Sequence, residues 1–258
     1  MLFKRKIELI IDGRKYTYPD FTIYFRIHFD DDEDANDARI EIYNLSKNSA
    51  NRIKKGKQII LNAGYKGDIG TIFTGIIDKV SIDRQMDVDK IATIEAVDDE
   101  QWRGLRINKT YKGSKKGSQI IRDVLNKTNF DVGAFSLLND KTYTNKTFDT
   151  TALDVITRIA RDCGAKVHNN KGRIFIRPQG QGDRLAFRLD KNTGLVESPE
   201  RLDDEETGWN VTSLLNHRVA PDTILSINSK TANGQYRVRK GKHIADNNRF
   251  YTVMEVVE

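Results

Sequence analysis

The chain has 258 residues, with 43 lysines and arginines against 37 aspartates and glutamates and a formal net charge of +6. Hydrophobic residues make up 38% and charged residues 31% of it. That length accommodates one large β domain or two to three smaller ones, and the polarity suits thin β modules with much surface. No run approaches the roughly 18 apolar residues of a spanning helix, the N-terminus lacks the apolar stretch of a secretory signal, and the single cysteine, Cys163, excludes an internal disulfide framework, so synthesis and folding in a cytosol are expected.

The first elements read as β. Residues 7–11 form a strand, Asp12-Gly13 is a two-residue turn signal, and residues 15–18 return. The clearest alternation in the protein follows: Phe21, Ile23, Phe25, Ile27 and Phe29 share one face, and Thr22, Tyr24, Arg26 and His28 the other. That is a strand with one buried side. Asp30-Asp31-Asp32-Glu33-Asp34 reads as a solvated loop, and residues 38–43 alternate again. Ser46 is a candidate N-cap for a short helix or turn ending near Arg52. About four further strands are expected through Val97, an all-β pattern suited to a barrel or sandwich.

After Trp102 the character changes. Residues 118–127 carry Ile120, Ile121, Val124 and Leu125 in a helical stripe. Residues 151–163 are a second helix, with Thr151 and Asp154 as a capping-box pair, Leu153, Ile156, Ile159 and Ala160 on the buried face, and Gly164 at the C′ position. Residues 165–168 and 173–177 form a hairpin across Asn169-Asn170-Lys171-Gly172. The stretch from Pro178 to Asp183 reads as a flexible connection, residues 185–189 as a strand, and residues 210–215 as an alternating strand ending at Asn216. The resulting division is a β domain over residues 1–105, an α+β insert over 106–178, and a second β domain over 179–258.

Two segments repeat loosely. Residues 53–97 and 219–257 both run strand, turn, strand, loop, strand, in register from Ile53/Val219 through Gly75/Gly241, with a shorter second loop in the later copy. The duplication predicts that the two segments share one strand order.

Catalytic and binding signatures are not found. The histidines His28, His168, His217 and His243 show no metal-ligand spacing, and Cys163 has no partner nearby in sequence. Cys163 also sits at a helix C-terminus, where the dipole disfavours a thiolate, and reads as a small buried residue. The acidic run lacks the glycine and glutamate of a calcium loop. Gly64, Gly67 and Gly70 do not open a helix, the segment from Lys112 to Gly117 misses the phosphate-loop spacing, and no Gly-x-Ser-x-Gly occurs. Asp98-Asp99-Glu100 and Asp203-Asp204-Glu205-Glu206 read as surface charge. No catalytic, cofactor or metal site is assigned, and the chain is read as a protein without enzymatic activity. Both charge signs are spread along it and no basic patch interleaves with aromatics, so neither specific nucleic-acid binding nor membrane attachment is expected. A nucleic-acid-binding β-barrel, suggested by the pI of about 9.2, and a cell-wall-active enzyme with two facing carboxylates are the competing classes.

Several segments resemble one family. Thr151-Ala-Leu-Asp-Val-Ile-Thr-Arg-Ile-Ala-Arg-Asp-Cys-Gly164 and the residues on to Pro178, Gly194-Leu-Val-Glu-Ser-Pro-Glu200, Asn233-Gly-Gln-Tyr-Arg-Val-Arg-Lys-Gly-Lys-His-Ile-Ala-Asp246, and Asn62-Ala-Gly-Tyr-Lys-Gly-Asp-Ile-Gly-Thr-Ile-Phe-Thr-Gly75 are similar to phage tail baseplate hub proteins. That group includes the late control protein D, contractile-tail hubs and relatives in type VI secretion spikes. The resemblance implies two β-barrel-like tube domains flanking a small α+β module, in a mainly β chain that forms a homotrimeric, pseudo-sixfold ring. It further implies a tail tube or distal tail adaptor protein on one side, a spike or fibre protein on the other, a tape measure protein as a further partner, and a place in the virion tail of a phage or prophage. The chain shows no appended lysozyme or peptidase domain, so spike and wall-degrading functions are expected on other polypeptides.

Overall fold

A computed structural model describes residues 4–32, 35–85, 89–98, 104–128, 130–182, 186–203 and 207–258. Glu33, Asp34, Asp99, Glu100, Trp102, Asp183, Leu185 and residues 204–206, to which the sequence assigned loops, a strand start or a boundary, lie outside them.

The first β unit begins with the hairpin of β1 (Arg5–Ile11) and β2 (Arg14–Tyr18). Its turn residues Asp12 and Gly13 both have positive φ, 50° and 79°, as a tight primed turn requires. In β3 (Ile23–Phe29), Ile23, Phe25, Ile27 and Phe29 are buried while Arg26 is exposed. It pairs antiparallel with β4 (Asp37–Tyr43). A single turn, α1 (Lys47–Ala50), starts at Ser46, whose side chain accepts from the Ser49 amide at 3.2 Å. Then β5 (Gln58–Tyr65), β6 (Asp68–Gln85) and β7 (Asp89–Val97) form an antiparallel meander. Three strands stand where about four were expected, because β6 runs on through a bulge between Ile77 and Lys79 instead of breaking there.

The insert opens with β8 (Arg106–Lys116), α2 (Gly117–Thr128), β9 (Val132–Phe135) and β10 (Thr142–Thr151), followed by α3 (Ala152–Asp162), β11 (Ala165–Asn170) and β12 (Arg173–Pro178). Its apolar stripes meet: Ile120, Ile121, Val124 and Leu125 of α2 share one cluster with Val155, Ile156, Ile159 and Ala160 of α3 and with Ile174 and Ile176 of β12. Leu153, expected on that buried face, is only partly buried at its rim. Thr151 caps α3 by accepting from the Asp154 amide at 3.2 Å. The Asp154 carboxylate takes the Thr150 hydroxyl and Arg158 instead of closing the box. Gly164, at φ +75°, ends the helix. Gly117 lets α2 approach α3 closely, since a Cβ there would lie 2.7 Å from Cys163 Sγ.

The second β unit contains β13 (Ala186–Leu189), β14 (Glu200–Arg201), β15 (Gly208–Leu214), β16 (Ile224–Asn228), β17 (Asn233–Ala245) and β18 (Phe250–Val257). One sheet runs through both units in the order β14-β15-β18-β17-β3-β4-β7-β6-β5-β1-β2, with β16 paired to β17 and β13 to β16. The cores interleave at the junction: Leu215, Ala245 and Phe250 join the first unit's cluster, and Phe29 joins the second's.

The repeat is real in topology and displaced in register. β5-β6-β7 and β16-β17-β18 are both antiparallel meanders with a long middle strand. The bulge between Ile77 and Lys79 recurs between Val238 and Lys240, and Lys79↔Glu95 recurs as Lys240↔Glu255. Ile59 pairs with Gly75, whereas Leu225 pairs with Tyr236. Gly75 therefore corresponds to Tyr236, and Val80 to Gly241. The sequence alignment of Gly75 with Gly241 fails because the β5–β6 hairpin is longer than the β16–β17 hairpin.

Gly241 faces Phe29 across the junction, and a Cβ on it would fall 2.4 Å from the Val253 carbonyl oxygen and 2.7 Å from Phe29 Cζ. Gly241→Val is expected to destabilise the protein by about 1–3 kcal/mol through overpacking. Urea midpoints of the two proteins check this.

Candidate assembly surface

The seam between the two units is a backbone ladder. Gly241, Lys242, His243, Ile244 and Ala245 of β17 stand opposite Phe29, His28, Ile27, Arg26 and Phe25 of β3. On the buried side, Phe29 lies 5.0 Å from the His243 ring, and Phe250 contacts Phe25 at 6.4 Å and Tyr65 at 5.4 Å, ring centre to ring centre. Arg5 stacks over Phe250 at 5.3 Å. On the open side stand Tyr24, Arg26 and His28, the polar alternates of β3. His28 Nδ1 lies 2.9 Å from Asp37 on the neighbouring strand, and Tyr24 hydrogen-bonds Asn247.

Two polar clusters fasten the insert across this seam. In the first, Arg237 of β17 donates to Asp31 at 2.7 Å and to Asp222 at 3.1 Å. Arg177 of the insert reaches Asp222 at 3.6 Å, and Lys166 reaches Asp31 at 3.7 Å. Asp31 is thus not the solvated residue that the acidic run suggested; it is 9% exposed and ion-paired. Asp98, read as surface charge, is likewise buried, accepting from the Asn36 side chain at 2.8 Å, and Asn36 in turn donates to the Asn169 carbonyl at 2.8 Å. Burial lifts the Asp222 pKa above its usual range, against the pull of Arg237 and Arg177. Asp30 is raised to about 7 by burial and its hydrogen bond with Asp32.

In the second cluster, Asp68, at the start of β6, accepts from Arg218 at 2.8 Å and lies 3.0 Å from His217 Nε2. The Arg218 hydrogen bond holds its pKa down at about 2. Lys171, in the insert's β11–β12 turn, donates to the His217 carbonyl at 2.6 Å, and burial pushes its pKa down to about 8. Gly70 is required beneath His217, since a Cβ there would sit 2.2 Å from Nδ1.

The histidines are scattered among these contacts. His168 is buried against Phe175, nearly parallel at 5.2 Å, and burial lowers its pKa to about 4. His243 is buried, bonded to Thr252 at 2.9 Å, and lowered by burial to about 3. Cys163 is buried beneath α2. Among the described residues, no group of three or more His, Cys, Asp or Glu is placed to hold a metal ion, and no helix is long and apolar enough to cross a membrane. Two polar networks, around Arg237 and around Asp68, lie where the two β units and the insert meet. Sequence patterns missed the Asp31–Arg237–Asp222 network, whose members are 206 and 15 residues apart.

This arrangement defines a class of fold: two like β meanders joined edge to edge and bridged by an α+β insert. That fold is also the fold of solved phage tail and type VI secretion proteins. The structure of the 43 kDa tail protein of prophage MuSo2 from Shewanella oneidensis matches with a TM-score of 0.73 at 11% identity, covering 99% of this chain and 97% of that one. A tail protein from Neisseria meningitidis MC58 matches with a TM-score of 0.71 at 10% identity, over 99% and 97% of the two chains. The Escherichia coli c3393 protein, a type VI secretion component described as structurally similar to the T4 tail proteins gp27 and gp5, matches with a TM-score of 0.67 at 11% identity, covering 96% of this chain and 76% of that one. No protein-family model and no curated protein sequence matches the chain. What it shares with these proteins, over nearly its whole length, is their mainly β fold.

Two predictions follow from the buried charges. Arg237→Ala removes the nearest cation from two buried carboxylates, leaving Asp222 with Arg177 and Asp31 with Lys166 at longer range, and is expected to cost up to about 3–5 kcal/mol, with part recovered by adding Asp31→Asn and Asp222→Asn; thermal unfolding of the three proteins measures it. His168 and His243 are neutral when folded and take up a proton more readily unfolded. Their share of stability therefore falls as pH drops from about 6.5 toward their folded values of about 4 and 3. Asp30 and Asp222 act in the opposite sense, so the informative quantity is a difference. The stability gap between wild type and His168→Gln, measured by urea titration, is expected to shift against wild type by up to about 3 kcal/mol between pH 7 and pH 4.

Proposed function

We propose that the protein is the structural hub of a phage or prophage-derived tail baseplate. In this reading it is a homotrimer whose six β units form a pseudo-sixfold ring, joining the tail tube to the tip or spike. The observation that carries it is the repeat: two meanders with the same strand order, the same bulge and the same Lys–Glu pair, continuous in one sheet. Two like units per chain allow three chains to present six similar edges to a sixfold tube and three inserts to a threefold object.

The domain division at residues 1–105, 106–178 and 179–258 belongs to this reading. It draws support from the separate insert core of residues 107–176. The partners would be a tail tube or distal adaptor protein, a spike or fibre protein, and a tape measure protein, with the chain made in the bacterial cytoplasm and residing in the virion tail. Catalysis is assigned to other polypeptides. The structural neighbours named above are tail and secretion components, which agrees with a scaffolding role.

Native mass spectrometry or light scattering tests the assembly. A species of three 29.5 kDa chains, appearing as concentration rises, is the expected outcome. A chain that stays monomeric at every concentration, alone and with tube protein, would sink the reading.

A further inference from the structure

We infer that the free edge of β6 at residues 80–82 receives residues 201–203, at the end of β14, of a second copy of this chain, with Arg201 opposite Ile82 and Asp203 opposite Val80. This rests on the ring reading above and adds the ladder by which the ring closes.

The seam already inside the chain is the template for the second one. Past its bulge, β17 pairs with β3, which is the strand lying beyond β4 in the first unit. The strand lying beyond β15 in the second unit is β14. The first unit has the same long strand, β6, with the same bulge. Among the described residues no strand pairs with residues 79–82 on the side away from β7, and none pairs with β14 on the side away from β15. One chain therefore carries one filled seam and the two halves of a second. They lie at opposite ends of the eight-strand run β14-β15-β18-β17-β3-β4-β7-β6. Within one chain the two halves cannot serve each other without closing that run on itself; in a neighbouring copy they can.

The register follows from the pairings. Lys79 corresponds to Lys240 through the bulge, so Ile82 takes the place of His243 and Val80 that of Gly241. Arg39 faces Glu95 as Asn210 faces Glu255, and Arg26 and Glu200 are their next partners, so Arg201 takes the place of Ile27 and Asp203 that of Phe29. Ile27 faces His243 and Phe29 faces Gly241 in the filled seam.

Side chains agree with this assignment. His243 is 1% exposed, covered by β3, while its counterpart Ile82 is 49% exposed, one of few large apolar side chains left in water. Bulk also trades across the pair. In the filled seam Gly241 meets the large Phe29, whose ring would lie 2.7 Å from an added Cβ, beside the Val253 carbonyl oxygen at 2.4 Å, and in the open one Val80 meets the smaller Asp203. All strand polarities match, so the incoming segment runs antiparallel to β6, as β3 does to β17. A head-to-tail contact of this kind makes closed rings when the rotation closes.

The test is a cysteine pair, Ile82→Cys with Arg201→Cys in one chain; the native Cys163 is buried. Directly opposed antiparallel positions bring Cα atoms within disulfide range. Copper–phenanthroline oxidation is expected to yield reducible covalent dimers and closed trimers, absent from either single variant and from Ile69→Cys with Arg201→Cys. In parallel, Ile82→Glu should retain the circular dichroism spectrum of the wild type and weaken self-association at least about tenfold. A trimer by mass that neither crosslinks at this pair nor weakens with Ile82→Glu would overturn the seam and leave the ring standing. A monomer under all conditions would overturn both.

Discussion

A β-strand at a sheet edge leaves a row of amide and carbonyl groups without partners, and the arrangement of this protein turns on how that demand is met between β3 and β17. There the last residues of one unit's long strand, Gly241 to Ala245, supply the missing ladder to the other unit's outer strand. The consequence reaches the core. Because the sheet does not stop at the junction, Phe250 packs with first-unit side chains and Phe29 with second-unit ones. The two units cannot be separated without exposing backbone and apolar surface together.

The insert is held by different physics. Its own interior is a compact apolar cluster, but its attachment to the β units runs through charged and amide groups: Arg177, Lys166 and Asn169 on one side of the junction, Lys171 on the other. Buried ion pairs add little net stability while strongly penalising any arrangement that leaves one partner alone. Such contacts fix where the insert sits more than how tightly it is bound.

Much of the architecture was readable from local patterns with clear physical meaning. The alternation in β3, the Asp12-Gly13 turn, the Thr151 cap and the Gly164 stop all appear where residue chemistry placed them. The long paired strands β8 and β10, separated in the chain by α2 and β9, did not announce themselves. They are rich in Lys, Thr and Asn, with Ile107, Tyr111 and Phe148 as their buried anchors, so no alternating stripe marks them. The acidic run misled because Asp31 is neutralised by Arg237, a residue remote in sequence. The repeat was visible, but its register was not. A bulge and a change in hairpin length shift residue numbers without changing which strands pair. The seam, which no motif encodes, emerged only from strand order.

The unequal hairpins carry a consequence of their own. Ile59 reaches its partner Gly75 through a longer excursion than the one from Leu225 to Tyr236. The strand run that would form a ring wall is nearly the same in both units, while the arm of β5 and β6 reaches further than that of β16 and β17 and is widened by β1 and β2 where β13 alone flanks the shorter one. Around a closed ring of such chains, the wall would repeat at every unit and the longer arms at every second one. The same object would then be smooth at one level and notched at another, so a docking partner could tell alternate positions apart by height alone.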